Sequence, residues 1–291
     1  MSWKKIWYQL MAGALLATAA AGCGSGTANG APNTLLAHVQ QTHKLIIAES
    51  AYAPEDFQNP TTHAWTGYDV NILQGFAKTL GAHLVVTSLP FSASIQAVAA
   101  RRADITIDIY YTAKRAKVIS YSRPMLNYND VVAVNSQSPQ IRKATVSAMT
   151  GKRIAVVVGS EEVTEANKVP SATVKQYSNI ADSFQALSSG RVAADFQPDT
   201  DVAWAIHQNP SLHIKILGAM PSSIAPPIAS LRGYYGLPKG SYSASFLKKL
   251  NAYLQKIACN GQEQKILNKY GMQSPVFLKG ICSAPNTYQG G

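Results

Sequence analysis

The chain has 291 residues, 46% of them hydrophobic and 14% charged, with 26 Lys and Arg against 15 Asp and Glu for a formal net charge of +11. That length fits one large or two ordinary domains with a substantial core. The basic excess does not indicate nucleic-acid binding, because Lys and Arg are scattered singly and in pairs with no long basic run or zinc-finger spacing; anionic lipid headgroups, wall polymers or an acidic medium suit such a surface better.

At the start of the chain, Lys4 and Lys5 precede an apolar run over residues 10–21, too short for a stable spanning helix and of the length of a signal-peptide core. The run ends in Ala20-Ala21-Gly22-Cys23, which resembles a bacterial lipoprotein box with Ala20 where Leu is common. The reading is a lipoprotein signal peptide over residues 1–22, cleaved before Cys23, whose acylated thiol tethers the protein to the outer side of the membrane. Ordinary secretion with cleavage nearby is the alternative. Residues 23–34, rich in Gly, Ser, Ala, Asn and Pro, read as a flexible tether. No later apolar run approaches the ~20 residues a spanning helix needs. Outside a reducing cytosol, Cys259 and Cys282 are a pair able to persist as a disulfide; two buried free thiols are the alternative.

Beyond the tether, residues 44–48 read as a buried strand and Tyr52-Ala53-Pro54 as a loop at its carboxyl end. Val70, Leu73, Phe76, Ala77 and Leu80 recur at helical spacing, Gly81 ends that helix, and residues 83–87 form the next strand. A second unit follows, with Ile95, Val98 and Ala99 marking a helix and residues 105–109 a strand. Such alternation implies α/β architecture with a parallel sheet covered on both faces. A comparable set begins again with strands over 131–134, 153–158 and 174–177, a helix over 180–189, a helix near 203–207 and a strand over 212–217. Two helices close the chain. Phe246, Leu247, Leu250, Tyr253, Leu254 and Ile257 mark the first, and Ile266, Leu267 and Tyr270 the second.

The order Gly67-Tyr68-Asp69-Val70-Asn71-Ile72, helix, strand, Phe91, helix, Ala103-Asp104-Ile105-Thr106-Ile107, then Thr112-Ala113-Lys114-Arg115-Ala116-Lys117 with Tyr121-Ser122 closely resembles the extracellular solute-binding proteins of family 3, the amino-acid receptors of ABC importers. The resemblance covers nearly all of residues 44–280. It implies a two-lobed periplasmic-binding-protein type II fold, each lobe a mostly parallel sheet flanked by helices. Lobe 1 is then discontinuous, over residues 35–128 and 234–291, with lobe 2 over residues 129–233 and a two-strand hinge near 127–130 and 230–233. It implies a monomer in the periplasm or on the outer cell surface that captures a polar amino acid or related small amine by cleft closure and delivers it to a membrane permease. No cofactor is implied. Service to a sensor kinase or chemoreceptor is the other non-enzymatic reading.

In open α/β sheets ligands bind beyond the carboxyl ends of strands, and the resemblance places specific residues there. Tyr52 and Phe91 are expected on either side of the ligand. Arg115, in the turn capped by Thr112, is expected to grip an α-carboxylate through two parallel N–H bonds. Gly159-Ser160 resembles the turn whose N–H groups complete that carboxylate site, although Glu161, followed by Glu162, stands where a small hydroxyl residue is usual. Asp108 and Tyr110 occupy positions where small residues and hydroxyls are common. Pro198 occupies the position of the acidic partner for the ligand's ammonium, so Asp199 is expected in that role with Asp201 in reserve. Additional carboxylates beside Tyr52, Trp65, Phe91 and Tyr110 favour a cationic or amine-rich ligand.

Catalysis finds little support. Ser245-Phe246-Leu247-Lys248 has the Ser-x-x-Lys spacing of serine acyl-enzymes without the accompanying motifs, and the six His show no metal spacing. The fold also carries periplasmic dehydratases of the cyclohexadienyl dehydratase type, and Asp108, Glu161 and Asp199 in a closed cleft would suit proton transfer. An enzyme on the same fold is therefore the alternative to a receptor.

Overall fold

The computed structural model describes residues 33–225 and 232–286. The signal-peptide and lipidation expectations, including Cys23, lie outside the described residues, as do most of the tether and part of the 230–233 crossing.

Helix α1 (Leu35–Thr42) leads into β1 (Lys44–Glu49), a short hairpin of β2 (Phe57–Gln58) and β3 (Trp65–Thr66), helix α2 (Tyr68–Thr79) and β4 (His83–Ser88). β1 and β4 pair in parallel, Lys44 opposite His83 through Glu49 opposite Ser88. This is the βαβ unit read from the sequence, with Val70, Leu73, Phe76 and Ala77 forming the buried stripe of α2. Helix α3 (Phe91–Ala99) and β5 (Thr106–Ile109) make the second unit, and Ile47 bridges Ile105 in parallel. The one-turn helix α4 (Ala113–Ala116), β6 (Ile119–Tyr121) and β7 (Leu126–Asn127) follow.

A five-stranded sheet comes next. Its elements are β8 (Asp130–Asn135), α5 (Val146–Met149), β9 (Arg153–Val157), α6 (Glu162–Asn167), β10 (Thr173–Tyr177), α7 (Ile180–Ser188), β11 (Ala194–Pro198), α8 (Asp199–Gln208) and β12 (Ile214–Ala219). The strand order is β10-β9-β11-β8-β12. β9 pairs in parallel with β10 and β11, whereas β8 runs antiparallel to both β11 and β12.

Strand β13 (Arg232–Pro238) then returns the chain to β5, β6 and β7, antiparallel to all three. Antiparallel strands thus join the parallel units wherever the chain enters a sheet from the other half of the molecule instead of through a crossover helix. Gly236 permits this pairing: a Cβ there would fall within 3 Å of Thr106, Ile109 and Ile119 side chains.

Helices α9 (Ser241–Cys259) and α10 (Gln262–Asn268) close the structure, and Phe246, Leu250, Leu254 and Ile257 of α9 share one core with α1 and α2. The last segment is held twice. Cys259 and Cys282 form a disulfide, and the buried Arg123 guanidinium donates through Nη2 to the carbonyls of Ile281 (2.7 Å), Cys282 (3.1 Å) and Ala284 (3.2 Å). Among the described residues no helix is long and apolar enough to cross a membrane.

Candidate functional site

One wall of the site is built from loops at strand ends in the first half of the chain. β1 ends in Glu49 and runs into a tight turn in which Tyr52 N donates to Asp56 O (2.9 Å) and Asp56 N to Tyr52 O (2.7 Å); the Ala53–Pro54 peptide is cis. The start of α2 clasps this turn, Tyr68 N donating to Pro54 O and Asp69 N to Glu55 O, both at 3.1 Å. Gly67, with φ +133°, lies so close that a Cβ would sit 2.0 Å from Glu55 O. The Gly67-Tyr68-Asp69 sequence therefore does a definite job: glycine allows the approach, and the free N–H groups of a helix start hold the loop carbonyls. On α4, Thr112 Oγ1 accepts from Arg115 N at 3.1 Å. Arg115 is buried, its guanidinium donating to Tyr110 O at 3.0 Å and, from the opposite wall, to Gly159 O at 2.9 Å. It also lies 5.3 Å from the centre of the Phe91 ring.

The opposite wall comes from two turns of the five-stranded sheet, one between β9 and α6 and one where β11 meets α8. Between the walls is a cavity lined by Tyr52, Phe91, Tyr110, Ser160, Gln197 and the Arg115 guanidinium, together with seven carboxyl groups: Glu49, Glu55, Asp56, Asp108, Glu161, Glu162 and Asp201. The space between the lining atoms, with the open solvent at its mouth included, is about 500 Å³. Close approach of the walls requires Gly159, whose Cβ position lies 3.0 Å from Ser92 Cβ and whose φ is +85°.

Seven ionised carboxylates around one guanidinium would be untenable in so dry a space, so protons or a bound cation must offset them. Burial accordingly raises each of them. Glu49 is pushed up to about 8 by desolvation, against N–H donation from Ser50 and Ile107 and the Thr106 hydroxyl. Glu162 is also pushed up to about 8, by burial and then by the charge of Asp130. Burial comes first for Glu55, Asp56, Asp108, Glu161 and Asp201 too. Behind Glu162, Tyr110 Oη donates to Asp130 Oδ1 at 2.7 Å, and Glu165 is pushed up to about 11 by burial and the neighbouring Asp130. In the described residues no group of three or more His, Cys, Asp or Glu is arranged to hold a metal ion.

Of the residues singled out in the sequence, the structure brings Tyr52, Phe91, Asp108, Tyr110, Arg115, Ser160 and Glu161 together around this cavity. Thr112 stands behind it as the cap of α4. Trp65 is not part of the lining: it belongs to the β2–β3 hairpin, opposite Gln58. Asp199 also lies off the cavity. Its carboxylate accepts from Asn129 N (3.4 Å) and Nδ2 (3.2 Å) where the chain passes into β8, and Asp201, two residues further on, lines the cavity instead. Sequence reasoning missed Glu49, Glu55 and Asp56. The available signal was an acid ending a predicted strand and two consecutive acids directly after Tyr52-Ala53-Pro54, in the loop already chosen as a binding loop.

The family model for bacterial extracellular solute-binding proteins, family 3, matches residues 45–273. The ABC transporter arginine-binding protein 1 of Escherichia coli K12 is 23% identical over 233 residues, covering 78% of this chain and 90% of that protein. The crystal structure of a substrate-binding protein of an amino acid ABC transporter superposes with a TM-score of 0.69 at 27% identity, over 78% of this chain and 98% of the other. An ancestral amino-acid-binding protein described as a precursor of cyclohexadienyl dehydratase shares the fold, with a TM-score of 0.70 at 19% identity over 81% of this chain and 98% of its own.

Proposed function

The chain belongs to the bacterial extracellular solute-binding proteins, family 3, and from that premise we propose that it is the receptor of an ABC importer for a small cationic solute, an amino acid with a basic side chain or a related amine. The observation that carries this reading is the cavity itself, in which seven carboxyl groups face a single guanidinium. The name of the Escherichia coli arginine-binding relative agrees with it. Arg115 takes the ligand's carboxylate, the rings of Tyr52 and Phe91 flank its body, and the carboxyl groups at the far end take its positive charge.

In this reading the two walls belong to lobes over residues 35–128 with 234–291 and over residues 129–233, hinged at the two crossings. Contacts from both lobes are required, since a ligand held equally in open and closed forms shifts nothing. Arg115 already spans the walls through Tyr110 and Gly159, so a carboxylate bound there joins a latch present in the closed form. The closed receptor docks on a membrane permease, and acylation of Cys23 keeps it at the membrane. Capture without chemical conversion is part of the proposal.

A thermal-shift panel of L-arginine, L-lysine, 1,4-diaminobutane, L-glutamate and L-glutamine tests it, because a ligand of the folded state raises the melting temperature. The cationic compounds are expected to give the large shifts. Shifts only with L-glutamate or L-glutamine would refute the cationic assignment, and turnover of a bound compound would refute capture alone.

A further inference from the structure

Two of the lining carboxyl groups meet from opposite walls. Glu55 comes from the turn after β1 and Asp201 from the first turn of α8, and both are fully enclosed, at 0% and 1% exposure. Glu55 Oε1 accepts from Tyr68 Oη at 2.8 Å and from Thr200 Oγ1, on the facing wall, at 3.2 Å. Its other oxygen, and both oxygens of Asp201, have no donor among the described residues. The two side chains nevertheless line one cavity, and Thr200, the chain neighbour of Asp201, bonds Glu55 across the walls. Ionised carboxylates only accept, so a bond between them requires a shared proton.

The groups facing the pair offer no relief. They include Tyr68 and Asp69 from α2, Asp108 from β5, Tyr128 before β8, Glu162 from α6, and Tyr52 and Asp56 on the turn of Glu55 itself. All are acids or phenols, and none brings a positive charge. Three buried acceptor oxygens without a donor, on cavity-lining residues of two walls, make a place for an ammonium or guanidinium group, and such a group would bond both walls at once.

We propose that Glu55 and Asp201 are a cation-for-proton exchange site: the empty closed form holds one proton between them, and the ligand's cationic group displaces that proton to solvent. This rests on the receptor reading above. The exchange balances, since one proton leaves as one positive charge enters and the two carboxylates keep the same net charge with their partner. Without proton or cation, two carboxylates pressed together would oppose closure, so Glu55 and Asp201 determine which ligands can close the cleft.

The test is calorimetric titration of the full chain with L-arginine at pH 7, in phosphate and in Tris, buffers with different heats of ionisation. The difference in heat should correspond to roughly one proton released per arginine, and affinity should fall by up to about tenfold per unit as pH drops from 7 to 5. Asp201→Asn and Glu55→Gln, each checked for folding by its unliganded melting temperature, should lose most of the proton release and flatten that dependence. Arginine binding without proton release, or with undiminished release in both variants, overturns the exchange and leaves the receptor reading standing. Absence of binding by L-arginine, L-lysine and 1,4-diaminobutane overturns the receptor reading and the exchange with it.

Discussion

The outer surface and the interior of this molecule carry opposite chemistry. Of the fifteen acidic residues, eleven are buried, Asp108, Glu161 and Asp199 are half-buried, and Asp182 alone is exposed. By contrast, among the described residues twenty Lys and Arg are exposed and only Arg115 and Arg123 are buried. The net charge of +11 therefore understates how basic the exterior is. The difference shows that the carboxyl groups are not spent on solubility or surface ion pairs, which contribute little in any case. They are gathered where burial is costly, and seven of the fifteen line the cavity where a ligand would be.

Acidification should give the largest effect. Burial raises fourteen of the carboxyl groups, with Glu49, Glu162 and Glu263 at about 8 and Asp195 at about 7. A carboxyl raised in the folded state favours folding as pH falls, because the native form then binds the extra protons; the gain is complete near the unfolded value of about 4. The unliganded melting temperature should thus rise by about 5 °C or more between pH 8 and pH 5. A flat or falling profile would mean that the interior acids are better compensated than this account holds.

Arg115→Ala comes next. It removes the only cation of the cavity lining among the described residues, and loss of a charged hydrogen-bonding group of this kind should weaken L-arginine binding about 10- to 100-fold by calorimetry. Unchanged affinity would remove Arg115 from the site. The smallest effect belongs to the exterior: Asp182→Asn, at the sole exposed acid, should change stability by no more than about 0.5 kcal/mol in denaturant unfolding. A larger loss would show that Asp182, which accepts from Asn179 Nδ2 at 2.8 Å, supports α7 beyond an ordinary surface contact.

Much of this was legible in the chain, and the limits have physical causes. Strands β1, β4 and β9 announced themselves as apolar runs, and α2 through its regular stripe, since burial imposes those periods directly. β11 and β13 did not, because Asp195 and Gln197 interrupt the first and two glycines the second; their identity as strands comes from neighbours distant in sequence. Arg115 was legible through the resemblance of its Thr-x-x-Arg turn to that of the family. Glu55 and Asp201 were not both legible, because their significance lies in facing each other across 146 positions of chain. Asp199 and Asp201 lie two residues apart on one helix start, and only the direction of the helix tells which faces the cavity.

Equilibrium titration of the full chain at pH 7 with L-arginine and, separately, with L-glutamate tests the central claim most directly. The account predicts one-to-one binding of L-arginine at least ten times tighter than that of L-glutamate, the acidic ligand being repelled by the carboxyl groups that attract the basic one. Equal or tighter binding of L-glutamate would contradict it.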